Sequence, residues 1–172
     1  YHWLTQQRGL SDEVIVKARM GWCDGGLTKH LLSLDYLMED IQETGLVTKF
    51  GDDYHRDRIA IPYLKYGRPT QIRGKEIGGK CIGGQGIPVD LYGQDSILGQ
   101  NTVAVVEGEF DQLTFQMLGI PAVGVPGALT WKEEWTDELC DARRIYIVLD
   151  PDGTGKRGAE KIAAEQIGRA HV

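Results

Sequence analysis

The feature that most constrains the fold of this chain is the alternation, after residue 100, of short apolar runs with longer mixed segments. The runs at 102–106, 122–125 and 145–149 contain almost only apolar residues, many of them β-branched. Apolar runs this short predict strands that are covered on both faces. Between and after them, helices are predicted at about 110–118, around Trp131, Trp135 and Leu139, and at 158–168. Strands alternating with helices predict an α/β fold, with a parallel sheet flanked by helices.

The first hundred residues follow a different pattern, which predicts a small α+β subdomain. A helix is expected from the N-cap signal at Ser11 towards Arg19. The stripe Leu31, Leu34, Leu37, Met38 and Ile41 has helical spacing and predicts a second, core-facing helix that ends at Gly45. Strands are expected at 46–50, 58–64 and 70–75. We therefore divide the chain into an N-terminal subdomain, 1–100, and a parallel-sheet domain, 101–172.

Acidic residues follow two of the predicted parallel strands directly. Glu107 comes after the first strand and Asp150 after the third, with Asp152 two residues further on and Asp111 one helical turn beyond Glu107. The carboxyl ends of parallel strands share one edge of the sheet, so these side chains are expected to converge. Four carboxylates repel one another unless a cation joins them, and oxygen donors suit Mg²⁺ or Mn²⁺. The alternative, which the spacing leaves open, is that these are ordinary polar strand ends, with Asp111 a first-turn acid favoured by the helix dipole.

The charge distribution points to an anionic partner although the net charge is −6. Residues 54–80 carry seven basic side chains against two acidic ones, whereas residues 101–172 carry twelve acidic against seven basic. A basic stretch beside an acidic one could hold a polyanion next to a metal ion. The alternative is that both are solvated faces.

Several other classes of protein are disfavoured. The three cysteines, Cys23, Cys81 and Cys140, are far apart, so neither a disulfide framework nor a zinc site is expected. No 18-residue apolar run and no signal-peptide pattern is visible, so we expect a cytoplasmic protein with no membrane partner. The sequence after Asp150 departs from both the calcium-loop and the phosphate-loop patterns.

Three segments carry a resemblance to a known family. They are 106–114 (VEGEFDQLT), 127–130 (GALT) and 149–155 (LDPDGTG). In this order and spacing they resemble the Toprim domain of bacterial-type primases, topoisomerases and some nucleases. Four earlier segments resemble the region ahead of Toprim in DNA primases: 8–11 (RGLS), 20–25 (MGWCDG), 57–63 (DRIAIPY) and 91–93 (LYG). The motif EGEFDxLT is most similar to the corresponding motif of phage primase-helicases.

The resemblance implies the catalytic core of a DNA primase, which makes short RNA primers on single-stranded DNA from ribonucleoside triphosphates. It implies Glu107, Asp150 and Asp152 as catalytic, metal-binding residues, with Asp111 as a fourth carboxylate on Mg²⁺ or Mn²⁺. It implies a basic groove for template or nucleotide, formed by Arg56, Arg58, Arg73, Lys75 and Lys80. A replicative helicase, separate or fused to the same protein, is the implied protein partner.

The sequence also departs from the primase pattern. It shows no zinc-binding segment, no further acidic motif and no helicase segment, so we interpret it as a core with a C-terminally truncated Toprim part. The primase segment Lys-Tyr-Leu-Asn-Ser is replaced at 80–83 by KCIG. Two alternatives remain. One is another Toprim enzyme, a nuclease or topoisomerase-like protein; a topoisomerase needs a tyrosine nucleophile in a separate domain, and a nuclease does not account for segments 8–63. The other is a catalytically silent module that binds nucleic acid or a helicase, against which the intact carboxylates weigh.

Overall fold

The computed structural model describes residues 1–169, which form two β-sheets with a helix between them. The N-terminal part starts with one π-helical turn, Trp3–Gln7. Its elements are then α1 (Asp12–Lys17), β1 (Gly21–Cys23), α2 (Leu27–Ser33), α3 (Met38–Glu43), β2 (Arg58–Lys65), β3 (Arg68–Lys75) and β4 (Cys81–Ile82). The four strands form an antiparallel sheet in the order β1-β2-β3-β4.

The second part holds the parallel sheet. Its elements are β5 (Thr102–Glu107), α4 (Gly108–Met117), β6 (Ala122–Val125), β7 (Arg144–Val148) and α5 (Gly153–Arg169). Two 3₁₀ helices, Gln94–Ser96 and Glu133–Leu139, precede β5 and β7. The strand order is β6-β5-β7, all parallel, so β5 is central. The predicted α/β architecture, with a parallel sheet flanked by helices and an α+β part before it, is confirmed.

Each sheet has its own apolar core, and α4 contributes to the first. Ile59, Ile61 and Tyr63 of β2 pack with α1 and with Leu113 of α4, all buried. The parallel sheet packs Val103 and Val105 against further buried residues that include Trp131, Trp135, Leu139 and Ile162. Leu91 and Ile97 also pack there, so residues just before the expected boundary at 100 contact the parallel sheet.

Four local expectations were wrong. The run 145–149 was expected to be covered on both faces, but in β7 Tyr146 and Val148 are 56% and 48% exposed. Residues 31–41 form two short helices instead of one, because Asp35 has a left-handed backbone (φ 62°) between them. Of the stripe expected to be core, Ile41 is buried, whereas Leu34 and Leu37 are 55% and 62% exposed. Residues 46–50 form no strand, and the β-type pairing of this segment is limited to an isolated bridge between Val47 and Asp53. Finally, the helix expected around Trp135 is a 3₁₀ helix.

Candidate active site

The central strand delivers Glu107 to the carboxyl edge of the parallel sheet. Glu107 is the last residue of β5, and Asp150 lies two residues beyond the end of the neighbouring β7. Val106 pairs with Val148, so both acidic residues leave the sheet at the same edge. Gly108 follows Glu107 with φ 79°, a conformation that glycine adopts without strain, and α4 therefore starts directly at the end of the strand.

The carboxylates at this edge act on one another. The pKa of Glu107 is raised, first by burial and then by the negative charge of Asp150, with Asp152 adding to it. Backbone N–H groups of Ala128 and Asp150 oppose the shift by hydrogen bonding to the Glu107 carboxylate. Glu107 therefore lies within electrostatic range of both Asp150 and Asp152.

Asp111 belongs to the same group of charges. Its pKa is raised by burial and by Asp150, and is opposed by the charge of Arg8. The Arg8 guanidinium lies 4.9 Å from the Trp3 ring centroid and 4.6 Å from that of Phe110, so it is held against the first turn of α4. Asp111 therefore lies within electrostatic range of Asp150.

Asp152 has a structural role as well. Its Oδ1 accepts hydrogen bonds from the backbone N–H groups of Thr154 (2.8 Å) and Gly155 (2.7 Å), which caps the start of α5. Gly155 itself lies against the preceding loop, because a Cβ there would be 2.0 Å from the Asp150 carbonyl oxygen. The first turn of α5 therefore fixes the backbone of both aspartates.

In donor chemistry these residues fit a divalent cation, since all are carboxylates, and the pKa values of Glu107 and Asp111 are raised by burial and then by the charge of Asp150. Within residues 1–169, however, no three His, Cys, Asp or Glu side chains lie close enough together to form a metal site. A bound cation would have to draw the carboxylates inward.

The five predicted groove residues occupy different environments. Arg73 is only 8% exposed, and its Nη1 lies 3.0 Å from Oε1 of Glu109, so its charge is neutralised inside the protein and is not presented on a groove. The physical reason is the register of β3: Arg73 faces Ile61, which lies on the core side of β2. The sequence predicted that Arg73 would be an exposed cation, whereas in the structure it forms a buried ion pair with Glu109.

Three of the other four basic residues lie at the end of the antiparallel sheet where β3 turns into β4, and the fourth, Arg56, lies beside Gly25. Arg58 is half-buried, with Nη1 3.4 Å from Oε2 of Glu76 and 3.3 Å from the carbonyl of Lys80. Lys75 is half-buried and donates to the carbonyl of Gly79. Lys80 and Arg56 are exposed, and Arg56 lies 3.8 Å from Asp57. Arg58, Lys75 and Lys80 thus form one local basic cluster.

Glu109 is the residue that sequence reasoning missed. It is 6% exposed, and its Oε1 accepts hydrogen bonds from the Tyr63 hydroxyl (2.8 Å) and the Cys81 thiol (3.5 Å) besides pairing with Arg73. Burial, followed by the charge of Glu109, raises the pKa of Cys81 to about 12. The pairing of β2 with β3 is the signal that could have indicated a buried acidic partner. It places Arg73 on the apolar side of β2, where its charge needs a counterion.

A cavity of about 440 Å³ lies on the outer face of the antiparallel sheet, beside Trp22, Ala60 and Ile72. Buried His55 also borders it, and its Nε2–H donates to the Ile72 carbonyl at 3.2 Å. None of the strand-end carboxylates lines this cavity. The described helices include none that is both long and apolar enough to cross a membrane.

Comparisons with known proteins give consistent results. No family model matches the chain. It is 39% identical to the "Gene 57 protein" of Mycobacterium phage D29 over 61 residues, which is 36% of this chain and 40% of that one. It is 25% identical to "Primase homolog protein" of Arabidopsis thaliana over 183 residues, covering 88% of this chain and 54% of that protein.

Solved structures match over nearly the whole chain. The zinc-binding and RNA polymerase domains of the Aquifex aeolicus primase superpose with a TM-score of 0.79, 24% identity, and coverage of 94% of this chain and 45% of that one. The DnaG primase catalytic domain bound to single-stranded DNA gives a TM-score of 0.74, 24% identity, and coverage of 92% and 56%. The fold of this chain is that of the catalytic core of bacterial primases. The chain spans about half the length of the proteins it matches.

Proposed function

We propose that this chain is the catalytic core of a DNA primase, which joins ribonucleoside triphosphates into short RNA primers on single-stranded DNA. The observation that carries the proposal is the placement of Glu107 and Asp150 at one carboxyl edge of a parallel sheet that has the primase-core fold, with Asp111 and Asp152 nearby in the sequence. The motifs around these residues resemble Toprim, which supports the same reading.

Glu107, Asp150 and Asp152 would hold Mg²⁺ or Mn²⁺, with Asp111 as a fourth carboxylate. The ion, when bound, supplies positive charge that activates the primer 3′-hydroxyl and neutralises the triphosphate. The chain supplies the backbone frame: β5 and β7 hold Glu107 and Asp150 at adjacent strand ends, and α5 holds Asp152 through its cap. Arg8, stacked on Phe110, contributes a positive charge near Asp111.

Template or nucleotide phosphates would bind the local basic cluster of Arg58, Lys75 and Lys80, with Arg56 at its side. Lys75 lies on the same face of β3 as Arg73, two residues away, and Arg73 contacts the first turn of α4. Lys75 therefore starts on the side of the antiparallel sheet that faces α4, whereas Arg58 starts on the other side and reaches Glu76 and the Lys80 carbonyl at the end of the sheet. The structure of a DnaG catalytic domain bound to single-stranded DNA supports DNA as the template. A replicative helicase as partner and a cytoplasmic location belong to the same proposal.

Incorporation of labelled ribonucleotides on a single-stranded template tests the function. Glu107→Gln and Asp150→Asn keep the side-chain shape and remove a charge, so we expect loss of primer synthesis with DNA binding retained. Asp141→Asn, an exposed acid outside the site, is the charge-matched control. Near wild-type synthesis by Asp150→Asn would contradict the proposal, and metal-dependent cleavage of DNA without synthesis would favour a Toprim nuclease instead.

A further inference from the structure

Glu109 lies between Glu107 and Asp111 in the sequence, but its buried side chain faces the side of α4 opposite to Asp111. Successive residues of a helix are turned by about 100°, so Glu109 is about 160° away from Asp111 around the axis. Asp111 interacts with Asp150 of the parallel-sheet edge, whereas Glu109 points at the antiparallel sheet. Both faces belong to the same first turn, so fixing one face fixes the other.

The contacts of Glu109 come from three strands of the antiparallel sheet. Arg73 of β3 pairs with it at 3.0 Å, the Tyr63 hydroxyl of β2 donates to it at 2.8 Å, and the Cys81 thiol of β4 lies 3.5 Å away. Arg73 Nη1 also donates to the Tyr63 hydroxyl (3.2 Å), and Nη2 to the carbonyl of Cys81 (3.0 Å). The network therefore joins β2, β3 and β4 to one carboxylate of α4.

We propose that Glu109 is a positioning residue: its ion pair with Arg73 sets the first turn of α4 against the antiparallel sheet and so places Glu107 and Asp111 for cation binding. The inference rests on the proposed function for its catalytic meaning. An ion pair with directed hydrogen bonds adds geometric specificity to the apolar packing of Leu113 in this interface.

The chain provides a matched control. Lys65 and Glu138 form a second ion pair (2.7 Å) that joins the same β2–β3 hairpin to the 3₁₀ helix Glu133–Leu139, away from α4. Both side chains are about one-third exposed. Removing this pair also cuts a connection between the two sheets, but it leaves the first turn of α4 in place.

The test compares the double variants Arg73→Met/Glu109→Met and Lys65→Met/Glu138→Met in the 172-residue chain. Apolar replacement of a buried pair is often neutral for stability, and a partly exposed pair contributes little, so both variants should melt near the wild type. We expect Mn²⁺ affinity, measured by the EPR signal of free Mn²⁺, to fall about 10-fold in the first variant alone, as for other residues that orient metal ligands. Hydrogen exchange of amides 112–115, whose bonds are accepted by carbonyls 108–111, should quicken in that variant only.

Wild-type Mn²⁺ affinity and exchange in Arg73→Met/Glu109→Met would overturn the proposal, as would an equal loss in the control. If the double variant does not fold, Arg73→Lys keeps the charge while changing its reach, and a weaker Mn²⁺ affinity in it supports the proposal whereas an unchanged one contradicts it. If the wild type binds no Mn²⁺, the proposed metal set fails, and exchange at 112–115 alone decides the positioning role.

Discussion

At the scale of single residues, the chain shows how much a side chain's role depends on its environment. Arg56 and Arg73 are both arginines of the basic segment beside an acidic residue. The Arg56–Asp57 pair has both side chains 70% or more exposed, whereas Arg73 and Glu109 are both at most 10% exposed. An exposed pair contributes little because water screens it, while a buried charge left without its partner is strongly destabilising.

Arg73→Met should therefore lower the free energy of unfolding by about 3–5 kcal/mol, because it leaves Glu109 buried without its counterion. Arg56→Met should leave unfolding unchanged within experimental error. Urea denaturation followed by circular dichroism measures both. A loss of less than about 1 kcal/mol in Arg73→Met would mean that Glu109 finds another partner or water.

Asp150→Asn should stabilise the metal-free protein at neutral pH. The raised pKa values of Glu107 and Asp111 mean that ionising them is unfavourable in the folded state, and Asp150 contributes to both shifts. This penalty is full above the folded-state pKa values and disappears as the pH falls below the ordinary carboxyl range. The increase in melting temperature should thus be present at pH 7 and vanish in acid.

Melting temperatures of the wild type and Asp150→Asn, measured without metal from pH 7 into the acid range, test this prediction. Asp141→Asn carries the same change in net charge outside the site and should show no such pH-dependent gain. A destabilised Asp150→Asn at pH 7 would show that Asp150 makes favourable contacts that outweigh the repulsion.

At the scale of elements, helix α5 ties stability to chemistry through Asp152, whose carboxylate caps the helix and is also expected to bind the metal ion. Asn can cap as Asp does, whereas Ala cannot. Asp152→Ala should therefore cost about 0.5–2 kcal/mol of stability together with primer synthesis, while Asp152→Asn should lose synthesis alone. Thermal melts and ribonucleotide incorporation separate the two roles, and full activity in Asp152→Asn would leave Asp152 as a cap only.

At the scale of the whole molecule, the basic cluster must act against a net charge of −6. Binding of single-stranded DNA should be steeply salt-dependent, because each neutralised phosphate releases counterions and contributes about 0.7 to the slope of log K against log salt. Arg58→Ala/Lys80→Ala should weaken binding and reduce that slope by about 1.4, if both side chains contact phosphates.

Fluorescence anisotropy of a labelled oligonucleotide at several salt concentrations measures this slope. Lys17→Ala/Arg143→Ala removes two exposed charges outside the cluster and is expected to leave the slope unchanged. The opposite ranking of the two variants would place the DNA on another surface.

Local sequence determined much of this protein. The apolar runs that form β5, β6 and β7 contain β-branched residues and are bounded by turn residues, which is the local pattern of strands. Their alternation with helices predicts a parallel sheet. The position of Glu107 and Asp150 at strand ends follows directly, because a parallel sheet has one carboxyl edge. The motifs that resemble primases are also local, and the shared fold of the primase core confirms that resemblance.

Tertiary structure decided the rest, because it depends on which surfaces meet. Helical spacing made Leu34 and Leu37 resemble core residues, but among residues 1–169 no element covers them, and they are exposed. A basic segment made Arg73 resemble a surface cation, but the pairing of β3 with β2 turns it inwards to Glu109, 36 residues along the chain. Periodicity determines which residues share a face, whereas burial and partners depend on contacts between distant segments that no local pattern encodes.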